Sequence, residues 1–208
     1  MPPSPAGRTS IVDVLTAELT NRIFAHEFKG GERLKESAVA AARGLSRHTV
    51  RQALLRLEAE RLLTSRNDAG WSLPILGVHD LHDVKLARFA VESTALNKAA
   101  RLNRPFHRET LDALQKVAQS RGDEDPTELR EREFGLRARL VQESASGRLM
   151  RMHQTISNEL RLWHVQHPYA SAPPFRSWQF HHLDLAGAVS AGQTESVARL
   201  LLKEFEGK

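Results

Sequence analysis

A chain of 208 residues, 40% of them apolar, can fill one large core or two small ones, and it holds no run of about 18 apolar residues of the kind that spans a bilayer. It has no cysteine, which excludes disulfides, thiolate metal sites and cysteine nucleophiles. Its formal charge of +5 permits a nucleic-acid partner without requiring one.

The Pro-rich start, residues 1–8, lacks apolar periodicity and reads as a disordered tail. Residues 9–27 read as a helix, because Ile11, Leu15, Leu19 and Ile23 recur every fourth position behind Thr9 or Ser10 as N-cap. Gly30 and Gly31 then favour a turn. Residues 36–43, ESAVAAAR, form a short helix closed by Gly44, and Ser46 can cap the next helix over 47–60. Two helices joined by so short a Gly-containing link make a helix-turn-helix. LLTS (62–65) and WSLPIL (71–76) read as short strands around the polar turn RNDAG (66–70). A hairpin directly behind the second helix makes the unit a winged helix-turn-helix. Pro74 suits the end of a strand, and residues 74–79 hold the hinge to a second domain.

From Leu81 onward no strand is predicted. Helices are expected near 80–101, 106–120, 127–145, 147–166, 175–191 and 194–206, the last with an apolar stripe of Val197, Leu200, Leu201 and Phe205. The fold class is therefore mainly α: an N-terminal winged helix-turn-helix of three helices and a β-hairpin (9–76), and a C-terminal all-α bundle (80–206).

Residues 47–57 carry the clearest chemistry. On a helical wheel Val50, Ala53, Leu54 and Leu57 fall within an arc of about 100°, while Arg47, His48, Arg51 and Gln52 lie opposite and Leu55 is the exception. Between 43 and 66 the charged residues are Arg43, Arg47, Arg51, Arg56, Arg61 and Arg66 against Glu58 and Glu60. Arginine's planar fork suits phosphate oxygens and guanine edges. A solvated surface helix is the plain alternative. The order of short helix, Gly turn, Ser cap and hairpin favours a helix that reads DNA.

This first domain resembles the winged helix of the GntR family of bacterial transcription regulators, through GERLKE (31–36), GLSR (44–47), VRQAL (50–54), LEAERLL (57–63) and Gly70. The resemblance implies operator contacts from Ser46, Arg47, Thr49 and Arg51, with Gly70 at the wing tip. His48 and Gln52 are further candidates for reading bases. The chain departs from the family pattern at Ser37, at the pair His48-Thr49 and at Arg61, where arginine, threonine-proline and glycine stand in the family.

Residues 80–206 resemble the FCD ligand-sensing domain of the FadR subfamily, through ARFAVESTALNKAA (87–100), EREFGLRARLVQESASGRLMRM (131–152) and HLDLAGAVSAGQ (182–193). In many such domains one Asp and three His hold a divalent metal that helps bind a carboxylate effector. The four positions read here as Glu131, Gly135, His182 and Glu204. Gly135 brings no donor, so the resemblance leaves at most Glu131, His182 and Glu204 for a metal, and a metal-free pocket is the expectation. Arg88 is the candidate anchor for an acidic effector, by a bidentate bond to a carboxylate. Its plain alternative is an i, i+4 ion pair with Glu92. Trp163 with His164 and His167, and Trp178 with His181 and His182, read as core or rim packing. HPYASAPP (167–174) reads as an irregular loop.

No Gly-x-Ser-x-Gly, phosphate-loop or His-Glu-x-x-His motif is present. The expected protein is not an enzyme. It is a cytoplasmic, homodimeric, ligand-responsive repressor, nucleoid-associated when bound to a double-stranded inverted-repeat operator, with no membrane partner and with a small organic acid or related metabolite as effector. Two alternatives stand beside it: a DNA-binding protein with a vestigial pocket and no ligand, and a helical hydrolase built on His182, Glu131 and Glu204.

Overall fold

The computed structural model describes residues 10–66, 70–168 and 174–206. The tail, Thr9, the wing-turn residues 67–69 and most of the 167–174 loop lie outside the described residues.

Helix α1 (Ile11–Phe24) opens with a capping box. The Ser10 hydroxyl oxygen accepts the Asp13 N–H at 3.1 Å, and the Asp13 carboxylate accepts the Ser10 N–H at 2.9 Å. The Ser10 hydroxyl and N–H, then Arg56, lower Asp13 to about 2. Helix α2 (Glu36–Arg43) ends at Gly44, whose φ of 62° is the left-handed turn that glycine takes without strain. Helix α3 (Arg47–Ala59) follows, with the Ser46 oxygen accepting Thr49 N–H at 3.1 Å. It closes in a Schellman motif, Leu62 N–H to Leu57 O and Arg61 N–H to Glu58 O, both at 2.9 Å. This motif puts Arg61 at φ 62°. The family glycine at that position has a physical reason, and arginine adopts the same turn at a cost.

The wing is part of a three-stranded antiparallel sheet in the order β1 (Arg33–Leu34), β3 (Gly70–Ser72), β2 (Thr64–Arg66), with Leu34 and Ser65 flanking Trp71. Strand β1 is an addition to the expected hairpin, lying just beyond the turn at Gly30 and Gly31. The strand expected over 71–76 stops at Ser72. Leu73 still donates to Glu32 O at 3.1 Å, and Pro74, lacking an N–H, ends the ladder.

The first compact unit takes in residues through Leu81 together with Asn158–Pro168. Its core joins Leu15, Leu19, Val50, Leu54 and Trp71 to Leu162, from helix α7 (Gly147–Gln166). Trp163 donates its indole N–H to Gly77 O at 3.0 Å, and the Gln166 amide bonds both Leu76 N and Pro74 O, at 3.0 and 2.8 Å. The backbone beyond the sheet thus finds its partners some 90 residues away in sequence.

The second unit holds 82–157 and the described residues after 168. It contains most of α4 (Val78–Leu102), then α5 (Arg108–Ala118), α6 (Pro126–Gln142), the first part of α7, α8 (Phe175–Ser190) and α9 (Thr194–Phe205), and no strand among the described residues. Ala95, Leu96, Leu136, Leu140, Leu185 and Val189 form the centre of its core. Helix α5 lacks a side-chain cap of its own. The buried carboxylate of Glu143 supplies one, accepting His107 N–H at 2.9 Å and the Thr110 hydroxyl at 2.5 Å. Burial pushes Glu143 up, and these bonds from Thr110 and His107 hold it below the ordinary glutamate value.

Candidate nucleic-acid interface and a buried ionic site

Helix α3 divides cleanly. Val50, Ala53, Leu54 and Leu57 are each 0% exposed, whereas Arg47, His48, Arg51 and Gln52 are exposed. Burying these side chains anchors the helix, at about 1.5–3 kcal/mol for each larger one. Leu55 stays exposed.

The arginines of this region divide by task. Arg43 pairs with Glu18 and Arg56 with Asp13, so both brace α3 and its neighbour against α1. Arg61 lies 3.8 Å from Glu159. Arg47 has no salt-bridge partner among the described residues. Arg51 donates its Nε–H to Glu36 Oε1 at 2.8 Å while its side chain remains 63% exposed. The same oxygen accepts the Trp71 indole N–H at 3.1 Å. The Arg51 bond, then the Trp71 bond, holds Glu36 below the ordinary glutamate value. One carboxylate therefore ties α2, α3 and the central wing strand together behind the exposed arginine face.

Ser46 and Thr49 sit at the start of α3 with their hydroxyl oxygens 2.8 Å apart. Gly70 is exposed at φ 78° where β3 begins. A helix N-terminus of this kind, with the first amides outside the helix's own bonding, favours a nearby anion.

In the second unit the candidates separate. Arg88, His182 and Glu204 come together in a buried ionic cluster. Arg88, 7% exposed, bonds Glu92 at 3.0 Å and Glu133 at 2.8 Å, so the i, i+4 ion pair with Glu92 is formed. Arg137, 0% exposed, bonds Glu92 at 3.1 Å and also binds Glu204. His153 lies 2.9 Å from Glu92, and His181 2.9 Å from Glu204. Burial pushes Glu92, Glu133 and Glu204 up, but the guanidiniums beside them prevail and hold all three below the ordinary range. His182 donates from Nδ1 to Trp178 O at 2.7 Å, so its Nε2 carries the lone pair. That nitrogen is buried, takes no hydrogen bond among the described residues and lies 3.9 Å from Glu133 Oε1. Burial first, and Arg137 second, lower His182 to about 4.

Glu131 does not join this cluster. It is exposed on the other side of α6, where with Gly135 it lines an open groove against Asp112 and Lys116 of α5. The side chains that α6 turns toward His182 are Glu133 and Arg137, about 200° round the helix from Glu131 and Gly135. The trio of the hydrolase alternative is therefore not assembled. Space is open at the Gly135 Cβ position. The aromatic–imidazole groups pack as helical neighbours, with Trp163 stacked on His167 at 4.3 Å and Trp178 tilted against His182 at 5.3 Å.

Residues 12–73 match the bacterial regulatory proteins of the gntR family, and residues 83–206 match the FCD domain. The chain is 33% identical over 79 residues to YdhC of Bacillus subtilis (strain 168), an uncharacterized HTH-type transcriptional regulator. That match spans 38% of this chain and 35% of the relative's length. The fold is shared with E. coli McbR/YncC, at 20% identity and a TM-score of 0.76 over 96% of this chain and 95% of that one. It is also shared with a GntR protein of Rhodococcus sp. RHA1, at 23% identity and a TM-score of 0.72 over 94% of both chains. No described helix is long and apolar enough to cross a membrane.

Proposed function

Because the chain belongs to the GntR family of bacterial regulators and carries their FCD domain, we propose that it is a ligand-responsive transcription repressor that binds an inverted-repeat operator as a homodimer. The observation that carries this reading is the division of α3. Four side chains at 0% exposure hold the helix, and Arg47, His48, Arg51 and Gln52 are presented to solvent. Such a helix lies in the major groove, where an arginine bonds guanine O6 and N7. Ser46 and Thr49 fall where a phosphate would meet the helix start, and Gly70 lets the wing approach the backbone closely. Two-fold symmetry sets two such helices about 34 Å apart, one turn of duplex, so the operator is palindromic.

The effector site of this reading is the buried cluster. It sets three carboxylates (Glu92, Glu133, Glu204) against two guanidiniums (Arg88, Arg137), so an incoming organic acid must displace an anion rather than add one. Glu204 is the member to leave, since its side chain is 33% exposed while that of Glu92 is 2% exposed. An acid that takes Glu204's place on Arg137 releases α9 from α6, and that differential contact shifts the population of states. The ligand-free alternative has one observation in its favour, that both guanidiniums are already paired. Glu204→Gln separates the two readings: it tightens acid binding if the exchange occurs and changes nothing if the pocket is vestigial.

Genome-wide capture of bound DNA, followed by release of the captured operator with a panel of organic acids and acyl-CoA esters, tests the whole reading. A shared inverted repeat and release by one class of acid are expected. Binding without any shared sequence would contradict it.

A further inference from the structure

The FCD resemblance implies a divalent metal, and two of the positions it names, His182 and Glu204, do meet in the buried cluster. The residues around them do not fit a metal ion. His182 offers an open lone pair at Nε2. Glu133, facing it at 3.9 Å, already gives one oxygen to Arg88 at 2.8 Å and the other to the Trp178 indole at 3.3 Å. Glu204 is bound by Arg137 and His181. Every carboxylate in reach is neutralised by a guanidinium, and a dication there would stand beside two permanent positive charges. Among the described residues no group of three His, Asp or Glu side chains is arranged to hold a metal.

The side chain at the centre is Arg137. It lies one helical turn after Glu133 on the same face of α6, is 0% exposed, and reaches Glu92 of α4 and Glu204 of α9. We infer that Arg137 is a resident cation that does the work of the divalent metal, drawing carboxylates of α4 and α9 to α6, so that this site operates without a metal. A guanidinium suits that role because it is always charged and its fork serves two carboxylates at once. An imidazole at this position would return a metal site. With Glu133, His182 and Glu204 it makes two nitrogen and two oxygen donors from three helices, a set that zinc takes in a tetrahedron. This assignment is independent of the operator and of the effector's chemistry.

Zinc titration of the full chain after treatment with EDTA tests it, read by calorimetry, bound-metal analysis and melting temperature. The wild-type protein is expected to bind no equivalent of zinc through His182, and neither zinc nor EDTA moves its melting temperature. Arg137→His is expected to melt earlier in EDTA, because Glu92 and Glu204 lose their counter-charge. It is expected to bind one equivalent of zinc and to recover stability with it, and to lose both effects when His182→Ala is added. Arg137→Lys, which keeps a cation, is expected to fold and to bind none. One equivalent of zinc on the wild-type protein, lost in His182→Ala, would overturn the inference. An Arg137→His protein that takes up no zinc, or stays unfolded in its presence, would overturn it too.

Discussion

Arg51 leans on Glu36. The guanidinium Nε–H meets Glu36 Oε1 at 2.8 Å, and the Trp71 indole meets the same oxygen at 3.1 Å. The outward arginine is therefore tethered to an acid from α2 that an aromatic from the wing holds in turn. Pre-organisation of this kind reduces the entropy lost on binding. Glu36 also keeps one negative charge close to the exposed arginine of α3. Glu36→Gln removes that charge and loosens the tether. Affinity for random duplex should rise, and the ratio of operator to random affinity should fall by roughly the value of one charged hydrogen bond, about 1.5–3 kcal/mol at most. Paired filter-binding titrations check this. An unchanged ratio would mean that the tether has no part in recognition.

Arg61 holds a left-handed turn at φ 62° and gains little from Glu159, 3.8 Å away, since its own side chain is 67% exposed. Arg61→Gly should therefore raise stability, by about 1 kcal/mol, the left-handed penalty of 1–2 kcal/mol less the added chain entropy of glycine. Urea unfolding midpoints of the two proteins decide the sign.

Leu162 is 0% exposed in the core of the DNA-binding unit. Leu162→Ala should cost about 2–5 kcal/mol, the range for a leucine truncated in a close-packed core. Amide exchange along α3 should accelerate, because Val50, Leu54 and Leu57 share that core. Protection of α3 equal to wild type would show that the segment 158–168 is dispensable to the unit.

His182 gives the molecule a pH dependence of definite sign. Its folded pKa is lowered from 6.5 to about 4, with burial as the first cause and Arg137 as the second. The unfolded chain takes up this proton first as pH falls. The stabilisation is thus complete above pH 6.5 and declines until the folded value near 4 is reached. A shift of this size corresponds to about 3 kcal/mol. His182→Asn, which keeps a donor toward the Trp178 carbonyl, should flatten the fall in stability between pH 7 and pH 4.5. Equal slopes in the two proteins would refute this. Below that window the loss belongs to Glu92, Glu133 and Glu204, whose lowered values make them protonate last in the folded state.

The helices and the α3 face were legible in sequence because periodicity, Gly44 and Ser46 all pointed the same way. The fold class followed from that agreement. Strand β1 was not legible, since two residues are too few to alternate and their pairing with β3 is a long-range choice. Leu162 in the first core was hidden for the same reason, as nothing near it in sequence announces its neighbours. The ionic site is more instructive. A wheel of α6 puts Leu136, Leu140, Val141 and Phe134 in one arc of about 160° with Glu133 and Arg137 inside it. Two charges within an apolar arc mark a buried ion network, and that signal was present in the sequence. Glu131 and Gly135 lie outside the arc, and the structure places them on the open groove.

The most direct measurement of the central claim is the affinity of wild-type, Arg47→Ala and Arg51→Ala proteins for the captured operator at one fixed salt concentration. Each substitution should weaken specific binding by about 1–3 kcal/mol, roughly 5- to 150-fold, with a smaller loss on random duplex. Operator affinity unchanged by both substitutions would contradict the assignment of the exposed face of α3 as the surface that reads DNA.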